Sequence, residues 1–244
     1  MTQVRKSPAG LACPVAFHDH GNDDQWAWAA AVSVTAALRR ELEARPRARL
    51  LVSGGTTPAP VFHALSQAPL EGSRVDIALV DERWLLPDDP DSNAHLVREC
   101  LLHGHAAAAR FETLTRPGRG IDAAVADANL HAQQPPGVVV LGMGSDGHTA
   151  SLFPHMRGLE DALDSPNAYV SVDASGCPGA GPWPLRISLT PAGWTAAGAR
   201  LLLLRGEDKL QVFEQALAGA DARQMPIRAA LRRADAPLQV HWCP

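Results

Sequence analysis

Short apolar runs without polar alternation recur along this chain, each parted from the next by a longer stretch with helical patterning. They are Ala48 to Val52, Asp76 to Val80, Val138 to Leu141, Tyr169 to Val172, Arg186 to Leu189 and Leu201 to Leu204, and Gly, Pro, Asp or Ser bounds each one. A strand exposed on one face alternates polar and apolar residues, whereas a parallel strand covered on both faces reads as a continuous apolar run. Helices are expected over Asp24 to Ala44, Ala59 to Gln67, Ser92 to Leu102, Ile121 to Gln133, Asp208 to Ala218 and Ile227 to Arg233, the first capped by Asp23 or Asp24 and stopped by Pro46. The alternation predicts a doubly wound α/β fold, Rossmann-like, with a mostly parallel sheet and helices on both faces. Residues 1 to 244 are expected to form one domain, a length sufficient for a sizeable core. The stretch from Asp173 to Pro184 is dense in Gly and Pro and reads as a long surface loop.

Charge and targeting signals narrow the function classes. The chain carries 22 Lys and Arg against 26 Asp and Glu, a formal charge of -4, with no cluster of basic residues that would grip nucleic acid. No apolar stretch is long enough to cross a membrane, and the first residues lack a secretory apolar segment, so a cytoplasmic protein is expected; a monomer or weak homo-oligomer is the separate expectation for its assembly. Cys13, Cys100, Cys177 and Cys243 form no C-x-x-C pair and read as reduced, inert thiols. His18-Asp19-His20 and His103-Gly104-His105 lack a third ligand at a recognisable spacing, and Asp88 to Asn93 fits no calcium loop. Both histidine pairs are read as surface residues, and no metal is expected.

Ligands in open α/β sheets bind beyond the carboxyl ends of the strands. Four of the apolar runs are followed by small, hydroxyl-bearing or charged residues: Ser53-Gly54-Gly55-Thr56-Thr57-Pro58, Asp81-Glu82-Arg83, Gly142-Met143-Gly144-Ser145-Asp146-Gly147-His148-Thr149, and Arg205-Gly206-Glu207-Asp208-Lys209. In the first, two glycines permit close approach, three hydroxyls add donors, and Pro58 opens a helix whose amides point at the same spot. A phosphate would fit there, and an ordinary tight turn accounts for the glycines equally well. Lys209 could add positive charge or lie solvated. For Arg83 the alternative is an ion pair with Asp81 or Glu82.

The segment from Gly142 to Gly147 matches G-x-G-x-x-G after a buried strand, the signature of a dinucleotide site. Asp146 would then place a carboxylate where the pyrophosphate lies, and Pro154 interrupts the helix that the motif requires. His148, two residues from Asp146, is the better clue, since a carboxylate so placed can orient an imidazole. An Asp-x-His pair taken alone is more often structural.

Taken in chain order, LVSGGTTP (51 to 58), VDERW (80 to 84), DSN (91 to 93), VLGMGSDGHTASLFP (140 to 154), RISLTP (186 to 191), LLRGEDK (203 to 209) and PIRAAL (226 to 231) resemble the 6-phosphogluconolactonase family. That resemblance implies a hydrolase of the oxidative pentose phosphate pathway that opens a sugar-phosphate lactone without a cofactor. It implies that His148 is the general base, that Asp146 orients it and that Arg83 lies beside the lactone carbonyl. It further implies that Ser53, Gly54, Gly55, Thr56 and Thr57 hold the phosphate with help from Arg186 and Lys209, and that Asp81, Gly142, Gly144, Gly147 and Thr149 complete the site. The same fold group holds glucosamine-6-phosphate deaminases, which carry a glutamate shortly after their Asp-Gly-His. Here Ser151-Leu152-Phe153-Pro154 stands in that place, and DER replaces DEY. A deaminase or isomerase, a non-catalytic sugar-phosphate sensor and a nicotinamide-dependent enzyme are the alternatives.

Overall fold

The computed structural model describes residues 2–3, 15–231 and 237–244. Strands and helices are numbered in chain order. The main sheet runs β1 (Thr2–Gln3), β2 (Val15–Asp19), β11 (Leu238–Cys243), β10 (Ala199–Arg205), β7 (Val138–Leu141), β3 (Ala48–Val52), β4 (Val75–Leu79) and β6 (Arg110–Glu112). All neighbours are parallel except β1, which pairs antiparallel with β2. Every residue of β3, β4 and β7 is buried, so both faces of the sheet centre are covered.

The helices are α1 (Asp23–Ala44), α2 (Ala59–Gln67), α3 (Asn93–Cys100), α4 (Ile121–His131), α5 (Leu159–Leu163), α6 (Pro191–Thr195), α7 (Glu207–Leu217) and α8 (Arg228–Leu231). Helix α1 packs along β11, β10, β7 and β3 and against α2. Its N-cap is Asn22, whose side chain accepts from the Gln25 amide, so the cap lies one residue before the aspartates expected there. Arg45, ahead of Pro46, is forced extended and ends the helix. The Ser92 hydroxyl caps α3 by accepting from the His95 amide. The expected last helix extends to Arg233, which lies outside the described residues, as does Cys13. The thiols of Cys100, Cys177 and Cys243 are free.

Two of the expected strands belong elsewhere. Strands β8 (Tyr169–Asp173) and β9 (Leu185–Leu189) pair antiparallel with each other, and β9 pairs antiparallel with β5 (Asp81–Arg83) to make a separate three-stranded sheet. The run in β9 looks like a parallel strand because four of its five residues are buried, whereas β8 buries only Tyr169 and Val172. Val80 is where the chain changes sheets: its amide donates to Val52 O (2.8 Å) in the large sheet, and its carbonyl accepts from Leu189 N (2.8 Å) in the small one. The buried Tyr169 hydroxyl, donating to Leu79 O at 2.7 Å, pins the small sheet to the end of β4. Asp81 and Arg83 are thereby lifted over the carboxyl ends of the parallel strands.

From β3 the chain winds outward through β4 to β6, and from β7 it winds the opposite way through β10 to β11. The winding reverses between β3 and β7, and the crevice that such a reversal opens is the standard ligand position in this architecture.

Candidate functional site

A cavity of about 330 Å³ fills that crevice, of a size suited to a small metabolite. Its floor is the end of β3 joined to the end of β7. The Ser53 amide donates to Val140 O (3.1 Å), and the Ser53 hydroxyl accepts from the Gly142 amide (3.2 Å). One wall is the turn from Ser53 to Pro58, the second is the loop from Gly142 to Ala150, the third comes from β5 and β9, and Lys209 of α7 closes the fourth.

The Ser53–Pro58 turn is built to leave donors unspent. Among the described residues, the amides of Gly54, Gly55, Thr56 and Thr57 and the hydroxyls of both threonines find no protein acceptor. Gly55 has φ +90° and open space around it, a conformation that L side chains resist. Gly54 faces the Asn93 side-chain amide so closely that a Cβ would overlap it. Asn93 in turn donates to Asp81 O at 2.8 Å, tying the turn to β5. Helix α2 begins at Ala59 with Pro58 as its N-cap and no side-chain cap, and its N-terminal dipole points at the same space.

In the β7 loop, His148 Nδ1 lies 2.6 Å from Asp146 Oδ1, and the His148 amide donates to the same oxygen at 3.1 Å. Partial burial pushes the Asp146 carboxyl up, but the ring and amide hydrogen bonds of His148 outweigh it and leave its pKa below the usual value. With Asp146 ionised, the Nδ1–H tautomer is favoured and Nε2 is the free nitrogen, without a protein partner among the described residues. Gly144 lies under the imidazole, where any Cβ would collide with the ring, and Gly147 turns the loop at φ +80°. The Thr149 hydroxyl closes the loop by donating to Gly142 O at 2.8 Å. Ala150, on the cavity wall, is held at φ +51°, a strained conformation for a residue with a Cβ. No helix follows the G-x-G-x-x-G segment directly; the next, α5, begins at Leu159.

Arg83 and Arg186 stand directly opposite each other on β5 and β9, so two guanidinium groups share one face of the small sheet above the cavity. Arg83 Nη1 donates to Asp91 O, and its buried Nε has no partner among the described residues. Arg186 is more committed: Nε donates to Trp183 O (2.8 Å), Nη2 to Ala180 O (2.6 Å) and Nη1 to Ser151 Oγ (3.4 Å), with Asp81 Oδ2 at 3.9 Å. Burial lowers the pKa of Arg186; Asp81 opposes that and Arg83 adds to it. Asp81 also accepts from the buried Ser151 hydroxyl at 2.6 Å. Lys209 Nζ donates to Met143 O (2.9 Å), and burial lowers its pKa against the pull of Asp146.

Every site residue expected from the sequence except Asp146, Gly147 and Thr149 lines this cavity, and those three support His148 from behind. Three further contributors went unrecognised. Asn93 stood within the DSN segment, but its contact with Gly54 has no sequence signal. Gly179 comes from the Gly- and Pro-rich loop and also lines the cavity. Glu82 is fully buried, accepting from the amides of Arg83, Asn93 and Ala94 at 2.8 Å each. Burial lifts its carboxyl to about 7 in spite of those donors. Of the histidine pairs, His103 and His105 are exposed. His18 and His20 instead stack with the buried His241, at ring centroid distances of 4.5 and 5.3 Å. Among the described residues, no three His, Cys, Asp or Glu side chains converge as metal ligands, and no helix is long and apolar enough to cross a membrane.

Comparison with known proteins identifies the relatives of this arrangement. A 6-phosphogluconolactonase of Xylella fastidiosa strain Temecula1 is 54% identical over 225 residues, covering 91% of this chain and 94% of the relative. One of Pseudomonas aeruginosa is 42% identical over 244 residues, covering 98% of each. The crystal structure of a 6-phosphogluconolactonase from Shewanella baltica superposes with a TM-score of 0.88 at 35% identity, over 96% of this chain and all (100%) of the other. The model of the glucosamine-6-phosphate isomerases/6-phosphogluconolactonase family matches residues 21–242, and the chain belongs to that family.

Proposed function

We propose that this protein hydrolyses 6-phospho-D-glucono-1,5-lactone to 6-phospho-D-gluconate, in the cytoplasm and within the oxidative pentose phosphate pathway. The observation that carries the reading is an Asp146-oriented imidazole and a cradle of unspent donors lining one cavity. The phosphate sits on the amides and hydroxyls of Ser53 to Thr57, with Lys209 and Arg186 supplying positive charge. This fixes C1 of the ring near His148. Nε2 of His148 takes a proton from a water that attacks the lactone carbonyl, and the carbonyl electron pair moves onto oxygen, where Arg83 stabilises the charge. As the tetrahedral intermediate collapses, the acyl C–O bond breaks and the protonated His148 returns its proton to the departing ring oxygen. One histidine serves both transfers, and the residues present require no metal or redox cofactor for this chemistry.

The test is acid release from freshly generated lactone, in a buffer that slows spontaneous ring opening, by the wild type and by His148→Ala. The expected result is turnover in the wild type and a fall of roughly 10²–10⁴ in kcat in the variant, with KM nearly unchanged. Ammonia release or ketose formation from glucosamine 6-phosphate, or ligand binding with no turnover of either substrate, would replace this reading with a deaminase or a sensor.

A further inference from the structure

We propose that Gly179 is a positioning residue for the Asp146–His148 pair: the Pro178–Ala180 turn lays its backbone on that pair and fixes the direction in which the imidazole points. The inference rests on His148 being the base. The turn is a single 3₁₀ turn within the loop between β8 and β9. A Cβ built on Gly179 would lie 2.7 Å from Asp146 Oδ2, and 3.3 Å from both His148 Nδ1 and the Phe153 ring. The backbones of both Gly144 and Gly179 therefore pack against the pair, and a Cβ on either would press into it.

The turn is held in place from the cavity wall. Arg186 Nη2 holds Ala180 O at 2.6 Å and Arg186 Nε holds Trp183 O at 2.8 Å. The same guanidinium lies 5.3 Å from the centroid of Phe153, whose ring is 4.4 Å from that of His148. At the far end the Trp183 indole donates to Asp91 Oδ2 at 3.1 Å, and Arg83 holds the Asp91 carbonyl. A side chain that touches the cavity thus clamps a turn that touches the base. The charged and titratable groups around the pair are Arg186 through Phe153, Lys209 on the cavity side and Cys177 next to the turn. The Asp146 side chain stays about one third exposed (35%), so the turn acts by packing its backbone against Oδ2 and not by excluding water.

The test compares kcat, KM and the pH profile of kcat/KM for the wild type, Gly179→Ala, Trp183→Ala and His148→Ala, with Ser175→Ala as a control in the same loop. Among the described residues, Ser175 bonds to Asp173 alone and reaches neither the pair nor the clamp. Gly179→Ala is expected to lower kcat by up to ~10²-fold, as a misplacement of about 1 Å does. KM should hold and the acid limb of the profile should move. Trp183→Ala, at a partly exposed position, is expected to shift both in the same direction by less, and Ser175→Ala to match the wild type. Wild-type kcat and an unmoved acid limb in a folded Gly179→Ala, or a loss expressed through KM alone, would overturn the proposal. If Gly179→Ala does not fold, the same outcomes in Trp183→Ala decide it. Full activity in His148→Ala would instead remove the base itself, a result distinct from an inactive His148→Ala beside an unaffected Gly179→Ala.

Discussion

Two guanidinium groups directly opposite each other on paired strands repel, and the small sheet tolerates Arg83 and Arg186 there because Asp81 and the loop carbonyls surround one of them. Arg83 keeps a buried Nε free, so an oxyanion arriving in the cavity finds a donor already desolvated. Lys209 differs in kind. It reaches the cavity from the first turn of α7 and is held by the Met143 carbonyl of the loop after β7. Its charge contributes equally to bound substrate and transition state if it contacts the phosphate, which undergoes no chemistry. Lys209→Ala is therefore expected to raise KM by an order of magnitude or so while leaving kcat close to wild type, since uniform binding is what is lost. Steady-state kinetics on the lactone check this, and a selective drop in kcat would move Lys209 from anchoring to chemistry.

At the scale of elements, the site is assembled by turns that cross-brace one another. Gly54 of the β3–α2 turn packs on Asn93 at the start of α3, and Asn93 ties back to β5. Below it the Glu82 carboxylate receives the amides of Asn93 and Ala94, so the N-terminus of α3 is fixed from two directions. Gly54→Ala should push the Asn93 amide aside and loosen the cradle and β5 together. The expected outcome is a raised KM and a thermal midpoint lowered by several degrees, equivalent to roughly 1–3 kcal/mol for a forced shift in a packed region, measured by kinetics and thermal unfolding. Part of this was legible in the sequence: the glycines, hydroxyls and charges after four apolar runs marked the edge where the cavity lies, because strands in this architecture deliver the residues beyond their carboxyl ends to one edge. The roles of phosphate cradle and base were assigned only by the family resemblance. Asn93 and Gly179 were not legible, since each acts by contact with a residue distant in the chain. Their partners, Gly54 and the Asp146–His148 pair, come together only once the sheets are folded.

Over the whole molecule, an apolar run shows that a strand is buried but not which sheet it joins. For that reason β8 and β9 read as members of the parallel sheet although they form the antiparallel canopy above it. Strand β11 was missed because its run, Leu-Gln-Val-His-Trp-Cys, carries a glutamine and a histidine. That histidine marks the far side of the sheet from the switch point. His241 is buried, its Nδ1 lies 3.1 Å from His20 Nε2, its Nε2 has no partner among the described residues, and burial lowers its pKa to about 3, with His18 and His20 adding to the effect. A folded-state pKa below the ordinary value of 6.5 means that the unfolded chain binds the proton more readily. The contribution to stability is thus intact above pH 6.5 and is lost as pH falls toward 3, by up to about 1.4 kcal/mol per pH unit for one proton. Glu82 works in the opposite sense: its raised pKa removes stability as pH climbs from 4.5 to about 7, so the wild-type profile alone mixes the two. Subtraction separates them. Unfolding free energies from urea titrations should differ between wild type and His241→Leu in a pH-dependent way. The wild type should lose ground steadily below pH 6.5, while kcat near neutral pH stays the same in both, since β11 contributes no residue to the cavity. Parallel stability curves for the two proteins across that range would mean that the stacked imidazoles take up acid without opposing the fold.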